Sequence, residues 1–123
     1  MQRRWAIIAL ASSFLVGCGP GRYTVPREID DPNAMRELLA KEIPQGTSLL
    51  DAQSFMETNL FACEVQRGKS YTCPDFAREN FDFLRCRRTD KAGFMVVRCW
   101  NIALVLENDK VQDIYVDISY TGP

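Results

Sequence analysis

The chain has 123 residues, enough for one domain on the usual measure of about 100–200 residues per domain. Its 46% hydrophobic and 25% charged residues are the mixture of a chain that buries a core, not of a disordered one. Histidine is absent, which removes the commonest general base and the commonest zinc and haem ligand, and with them most hydrolase and metalloenzyme designs.

The amino terminus reads as an export signal. Arg3 and Arg4 give a short positive start, and Trp5 to Val16 is a run of 12 residues whose polar members are Ser12 and Ser13. A helix rises about 1.5 Å per residue, so this run falls well short of the roughly 30 Å hydrocarbon layer of a bilayer. It also lacks the polar face of a core helix. A signal peptide over residues 1–17 is the predicted segment. It ends in Leu15-Val16-Gly17-Cys18, which resembles the lipobox of bacterial lipoproteins. The resemblance implies diacylglycerol on the Cys18 sulfur, cleavage after Gly17 and acylation of the new amino terminus. Two or more acyl chains, at about 0.8 kcal/mol per buried CH₂, hold a membrane where one chain is marginal. Gly19 stands where an aspartate would retain an enterobacterial lipoprotein at the inner membrane, so the expected location is the periplasmic face of the outer membrane. Pro20, Gly21, Pro26 and Asp30-Asp31-Pro32 make residues 18–30 a predicted tether, leaving residues 31–123 as the domain. Loss of Arg3 and Arg4 leaves 13 basic and 16 acidic residues, net −3, with no basic excess to suggest a nucleic-acid partner.

Export puts Cys63, Cys73, Cys86 and Cys99 where disulfides persist, and their even number suggests two bridges. Zinc ligands come as closely spaced pairs, whereas 9, 12 and 12 residues separate these cysteines. No Cys-x-x-Cys redox motif is present. No metal and no cofactor are expected. Three pairings satisfy the count; the one favoured is Cys63–Cys86 and Cys73–Cys99, because a meander sets the strands of Cys63 and Cys86 side by side.

Asp31 and Pro32 form a helix start, a capping side chain followed by a residue already fixed near helical φ. Met35, Leu38, Leu39 and Ile43 follow on one face, and Pro44 closes the segment. A second helix starts at Ser48, with Leu49, Ala52, Phe55 and Met56 as its apolar stripe, and ends near Asn59 in a left-handed cap. From Leu60 the period changes. Strands are predicted over Leu60 to Val65, Phe81 to Arg87, Phe94 to Leu106 and Val111 to Tyr120, with turns at Asp90 to Gly93 and Asn108 to Lys110. Trp100, Ile102, Leu104 and Leu106 share one side, as do Ile114, Val116, Ile118 and Tyr120. The expected fold is α+β, two N-terminal helices packed on one face of a three- to four-stranded antiparallel sheet.

A lipobox, a short linker, a Gly46-Thr47 helix start, two helices and then antiparallel strands resemble the SmpA/OmlA (BamE-type) small outer-membrane lipoproteins. Their fold is shared by β-lactamase-inhibitor-like domains. The resemblance covers most of the mature chain as architecture and implies a role in binding envelope components. The four cysteines and a 15-residue insertion at Gln66 to Asn80 depart from that family.

Two stretches invite a site. Arg67-Gly68-Lys69-Ser70 has the end of a phosphate loop but not its beginning, since the first glycine falls on Cys63. Arg85, Arg87, Arg88, Lys91 and Arg98 gather around one hairpin with Phe94 and Trp100. A solvated strand edge is the ordinary meaning of such charge. The functional meaning is a partner-docking face built on Arg85, Arg87, Arg88, Arg98 and Trp100, since arginine and aromatics are favoured at interfaces. No acid/base pair can be nominated, so the expected function is non-catalytic: a lipid-anchored envelope protein that binds another envelope component, or alternatively an inhibitor-like or ligand-binding module.

Overall fold

A computed structural model of the protein describes residues 25–74 and 76–122. The expected signal peptide and Cys18 lie outside the described residues. Helix α1 (Pro32–Glu42) begins as its sequence dictates: the Asp31 carboxylate accepts the Ala34 N–H, Pro32 takes the first helical turn, and Met35 and Leu39 are buried. Helix α2 (Leu49–Thr58) starts at Ser48, whose hydroxyl accepts the Asp51 N–H, and buries Ala52 and Met56. The left-handed residue after α2 is Leu60 (φ 70°), one place later than expected. Asn59 keeps φ −93° and uses its side chain instead, accepting the Val25 N–H at 3.0 Å and donating to the Phe55 carbonyl at 2.9 Å.

Four strands follow, β1 (Ala62–Cys73), β2 (Phe76–Gly93), β3 (Val96–Glu107) and β4 (Lys110–Thr121). They form one antiparallel sheet in the order β1-β2-β3-β4. The α+β class, two helices and then a four-stranded antiparallel sheet, is as expected. The Asp90 to Gly93 turn is not: Asp90 and Lys91 pair within the β2–β3 ladder, and the chain reverses at Phe94-Met95 between paired Gly93 and Val96.

The stretch Gln66 to Asn80, expected as an insertion, is the far half of a long β1–β2 hairpin. Its ladder slips between Gln66 and Lys69 and again between Lys69 and Tyr71, with Gly68 (φ 61°) and Asn80 (φ 61°) in the left-handed region. Bulges bend a strand and sharpen its twist. The Phe76 ring stacks on Tyr115 of β4, centroids 3.7 Å apart at 16°. Since β3 lies between β2 and β4, that contact requires the end of the hairpin to fold back over the sheet.

Alternation along the strands sorts the core into two clusters. On the Trp100 side, Leu84, Cys86, Trp100, Ile102, Leu104 and Ile114 share one cluster with Met35, Leu39 and Ile43 of the first helical segment and Ala52 and Met56 of α2. Each such large apolar side chain contributes about 1.5–3 kcal/mol by leaving water. On the Tyr115 side, Tyr71, Phe81, Phe83, Ala103 and Val105 are buried, with Cys73, Phe76 and Tyr115 packed against them.

The tether expected over residues 18–30 is corrected at its carboxyl end. Val25 is 1% exposed, within the Trp100-side cluster, and Ile29 packs against it. Three side chains hold this segment down. Arg88 donates to the carbonyls of Val25 and Pro26, Arg98 donates to that of Arg27, and Asn59 takes the Val25 N–H. The folded unit therefore includes Val25 and the residues after it.

Candidate functional site

The basic hairpin divides. Arg88 is 5% exposed and turned to the Trp100 side, where Nη2 meets Asp90 Oδ2 at 2.9 Å, Nη1 donates to the Asn59 carbonyl at 3.0 Å, and the guanidinium lies 4.7 Å over the Phe61 ring. Arg98 and Trp100 are also buried. These three residues were expected on a docking face and are corrected to structural ones. Arg88 and Asp90 sit two apart in a strand, so they share a side, and the Val25–Arg27 segment closes over them.

Arg85 and Arg87 point the other way, to the Tyr115 side. Arg87 is exposed and Arg85 half-buried. A groove of about 230 Å³ runs between the folded-back hairpin and the sheet, lined by Gln66, Ser70, Tyr71, Thr72, Phe83, Arg85 and Asn101. Arg85 also lines a neighbouring depression of about 370 Å³ with Ala62, Cys63, Glu64 and Arg87. Arg85 Nε and Asn101 Oδ1 are both buried without a hydrogen-bond partner among the described residues. One is a donor and the other an acceptor, and an unsatisfied buried polar atom costs about 1–3 kcal/mol. The Tyr71 hydroxyl closes one wall by donating to the Asn101 carbonyl at 3.2 Å. Burial pushes its phenol well above the ordinary tyrosine range. On β4, the Tyr115 hydroxyl donates to Asp113 at 2.9 Å, and that carboxylate holds the Tyr115 proton on.

Tyr71 and Asn101 were missed by sequence reasoning. The signal for Tyr71 was its place in an aromatic series, Tyr71, Phe76, Phe81 and Phe83, too dense for a solvated loop. Asn101 carries no signal of its own, since a polar residue facing outward in a strand is the ordinary case. The Arg67 to Ser70 stretch is bulged β1 rather than a phosphate loop. Its Gly68 N–H is given to Asp82 Oδ1 at 3.0 Å, and Arg67 bridges Asp82 and Asp109. A cleft of about 340 Å³ lies between α1 and β4, lined by Arg36, Glu37, Gln45, Gln112 and Ile114 among others; Arg36 donates to the Ile114 carbonyl and Gln45 to Gln112.

All four cysteines after Cys18 are free thiols. Cys63 and Cys86 are direct cross-strand neighbours with Sγ atoms 3.3 Å apart, beyond the roughly 2.05 Å of a disulfide. Burial, with the Cys63 sulfur beside it, pushes the Cys86 thiol up. The expected Cys73–Cys99 bridge is not formed. Cys73 pairs with Phe76 at the hairpin end, and the Cys99 sulfur instead meets the Thr121 hydroxyl at 3.5 Å. Among the described residues no three histidine, cysteine or acidic side chains come together as metal ligands.

No family model matches the chain, and neither a curated protein nor a solved structure matches it.

Proposed function

We propose that the chain is a non-catalytic, lipid-anchored protein of the cell envelope, held by acyl chains on Cys18, that docks another envelope component on the Tyr115 side of its sheet. In this reading the two helices lie on the Trp100 side, which the shared burial of Met35, Leu39, Ala52 and Met56 with Trp100 and Leu104 supports. The helices then fill one side and leave the other for binding, an architecture similar to the SmpA/OmlA lipoproteins. The observation that carries the docking surface is exposed Arg87 beside Arg85, which lines both the hairpin groove and the neighbouring depression. A partner that presents carboxylates or carbonyls there accepts from the two guanidinium groups.

The same groove supports a second reading, an inhibitor-like or small-ligand-binding module. One experiment separates them. The mature protein is extracted from membranes in detergent and its mass taken for the acyl chains, and co-purifying proteins are compared between the unsubstituted chain and an Arg85→Glu/Arg87→Glu variant. An envelope membrane protein lost with the double substitution supports docking; a soluble enzyme lost with it supports the inhibitor-like reading. Absence of acyl mass overturns the anchor.

A further inference from the structure

The β2–β3 hairpin ends in a turn whose chemistry its geometry does not require. Two-residue hairpin turns favour Asn-Gly or Asp-Gly because their backbones need positive φ. The β3–β4 turn obeys, with Asn108 and Asp109 at φ 54° and 59°. The β2–β3 turn instead places Phe94 and Met95 there, with Met95 at φ 57°, and exposes them by 88% and 61%. A large thioether side chain in the left-handed region carries a conformational cost, and two apolar side chains in water recover nothing for it. Departures of this kind from local rules mark functional positions. Val97 and Tyr120, at the same end of the sheet, are also exposed, at 38% and 55%. Lys91 beside them is exposed as well.

The chain enters the domain at this end. Arg27 reaches Asp90 at 2.6 Å, its carbonyl accepts from Arg98 at 3.1 Å, and Asp90, Arg98 and Tyr120 are register neighbours. Six residues lie between Cys18 and Val25, seven steps along the chain. Fully extended they span about 25 Å, at 3.3–3.6 Å each. Val25 is held by Arg88, six residues from Phe94, about 20 Å. The opposite end, with Asn108, Asp109 and exposed Leu50 near the Ser48–Lys110 bridge, is eight residues along β3 from Trp100, the register neighbour of Arg88, about 26 Å.

We propose that the Phe94-Met95 turn is a second membrane contact, sinking into the interface of the leaflet that holds the acylated Cys18. This inference rests on the lipid-anchor reading above. Phe94 and Met95 enter the boundary between headgroups and acyl chains, Tyr120 sits at headgroup depth as interfacial aromatics do, and Lys91 meets lipid phosphates. A single convex turn is far smaller than the roughly 1,200–2,000 Å² of a stable protein interface. For a chain already tethered, insertion is intramolecular, and a small apolar contact suffices. The contact stands the strands on end against the bilayer, so the hairpin groove with Arg85 opens sideways along the membrane surface.

The test uses the mature acylated protein in vesicles of phosphatidylethanolamine and phosphatidylglycerol, with and without brominated acyl chains. Trp5 leaves with the signal peptide, so buried Trp100 is a constant background. A Phe94→Trp variant is expected to show emission shifted to the blue and lost to the brominated lipid, with Met95→Trp behaving alike, whereas Leu50→Trp gains no quenching over the unsubstituted protein. Equal quenching of the two ends, or none at either, overturns the proposal. So does a blue shift at residue 94 without quenching, which places the turn against protein. Acylated protein with an unquenched turn sinks this inference alone; protein without acyl mass sinks the anchor and this inference together.

Discussion

Arg88 and Asp90 form an ion pair closed off from water on both sides, with guanidinium nitrogen and carboxylate oxygen 2.9 Å apart and side chains 3% and 0% exposed. The pair also anchors the amino-terminal segment, because the same guanidinium donates to the carbonyls of Val25, Pro26 and Asn59 while Asp90 receives Arg27. Removing Arg88 leaves buried Asp90 with Arg27 alone and ends the hydrogen bonds to three carbonyls, at about 3–5 kcal/mol. Arg88→Ala is therefore expected to lower the melting temperature by more than 10 °C, at about 4–8 °C per kcal/mol for a domain of this size. Arg27→Ala, whose side chain is 50% exposed, is expected to cost no more than about 1 kcal/mol. Thermal melts of the two variants check the ordering; a mild Arg88→Ala places the charge in solvent instead.

This pair also shows what the sequence concealed. Both helix starts were legible because their determinants are local: Asp31-Pro32 and Ser48 cap within three residues. The β3–β4 ladder was legible because Ile102 to Leu106 is an unbroken apolar run, buried throughout, and Ile114, Val116 and Ile118 recur at every second residue. Arg88 looked like surface because the residues that cover it, Val25 to Arg27, carry proline and charge and read as tether. Their docking onto the sheet depends on contacts more than 60 positions away in the chain. The β1–β2 hairpin was misjudged for a related reason. Arg67, Lys69 and Ser70 are polar enough for a loop, and the feature that folds the hairpin back, Phe76 on Tyr115, joins two residues far apart in sequence.

Cys63 and Cys86 stand opposite one another with sulfurs in contact, so a bond between them needs only a small side-chain rotation. Oxidised glutathione is expected to link them, with both thiols losing a hydrogen and one glutathione disulfide reduced to two thiols. Crosslinks of this kind contribute about 2–4 kcal/mol. Non-reducing peptide mapping should recover Cys63 joined to Cys86, unaffected by Cys73→Ser or Cys99→Ser. Recovery of Cys63 joined to Cys73 overturns it. Because burial pushes the Cys86 thiol up, alkylation of the reduced protein near pH 8 should reach Cys86 only after denaturation.

Tyr71 links the folded-back hairpin to pH. Its ring lies edge-on to Phe83, centroids 5.4 Å apart, and burial raises its phenol above the ordinary value of 10. Below about pH 10 the phenol keeps its proton in both folded and unfolded chains, so its full contribution is present. As pH climbs past 10 the unfolded chain releases the proton first, and stability falls until the folded phenol ionises too. Urea unfolding at about pH 8 and about pH 10.5 is expected to show that decline, and Tyr71→Phe to lessen it. The variant should lose about 1 kcal/mol at neutral pH with the hydrogen bond to the Asn101 carbonyl. An unchanged alkaline slope in Tyr71→Phe would assign the effect to another group.

Charge reversal tests the division of the basic hairpin directly. Arg85 and Arg87 face the Tyr115 side, where Arg87 is exposed and Arg85 lines the groove; Arg88 and Arg98 face the Trp100 side and are 5% and 7% exposed. Exposed charges contribute little to stability, about 0–1 kcal/mol each, but set association through electrostatic complementarity. An Arg85→Glu/Arg87→Glu protein is expected to melt within a few degrees of the unsubstituted one and to lose partner capture. An Arg88→Glu/Arg98→Glu protein places two carboxylates beside buried Asp90, and like charges there cannot be solvated, so it is expected to fail to fold at growth temperature. Melting curves read both halves before any partner is identified. A large drop for the first pair would show that Arg85 is held by the fold itself, and would remove the docking surface from the Tyr115 side.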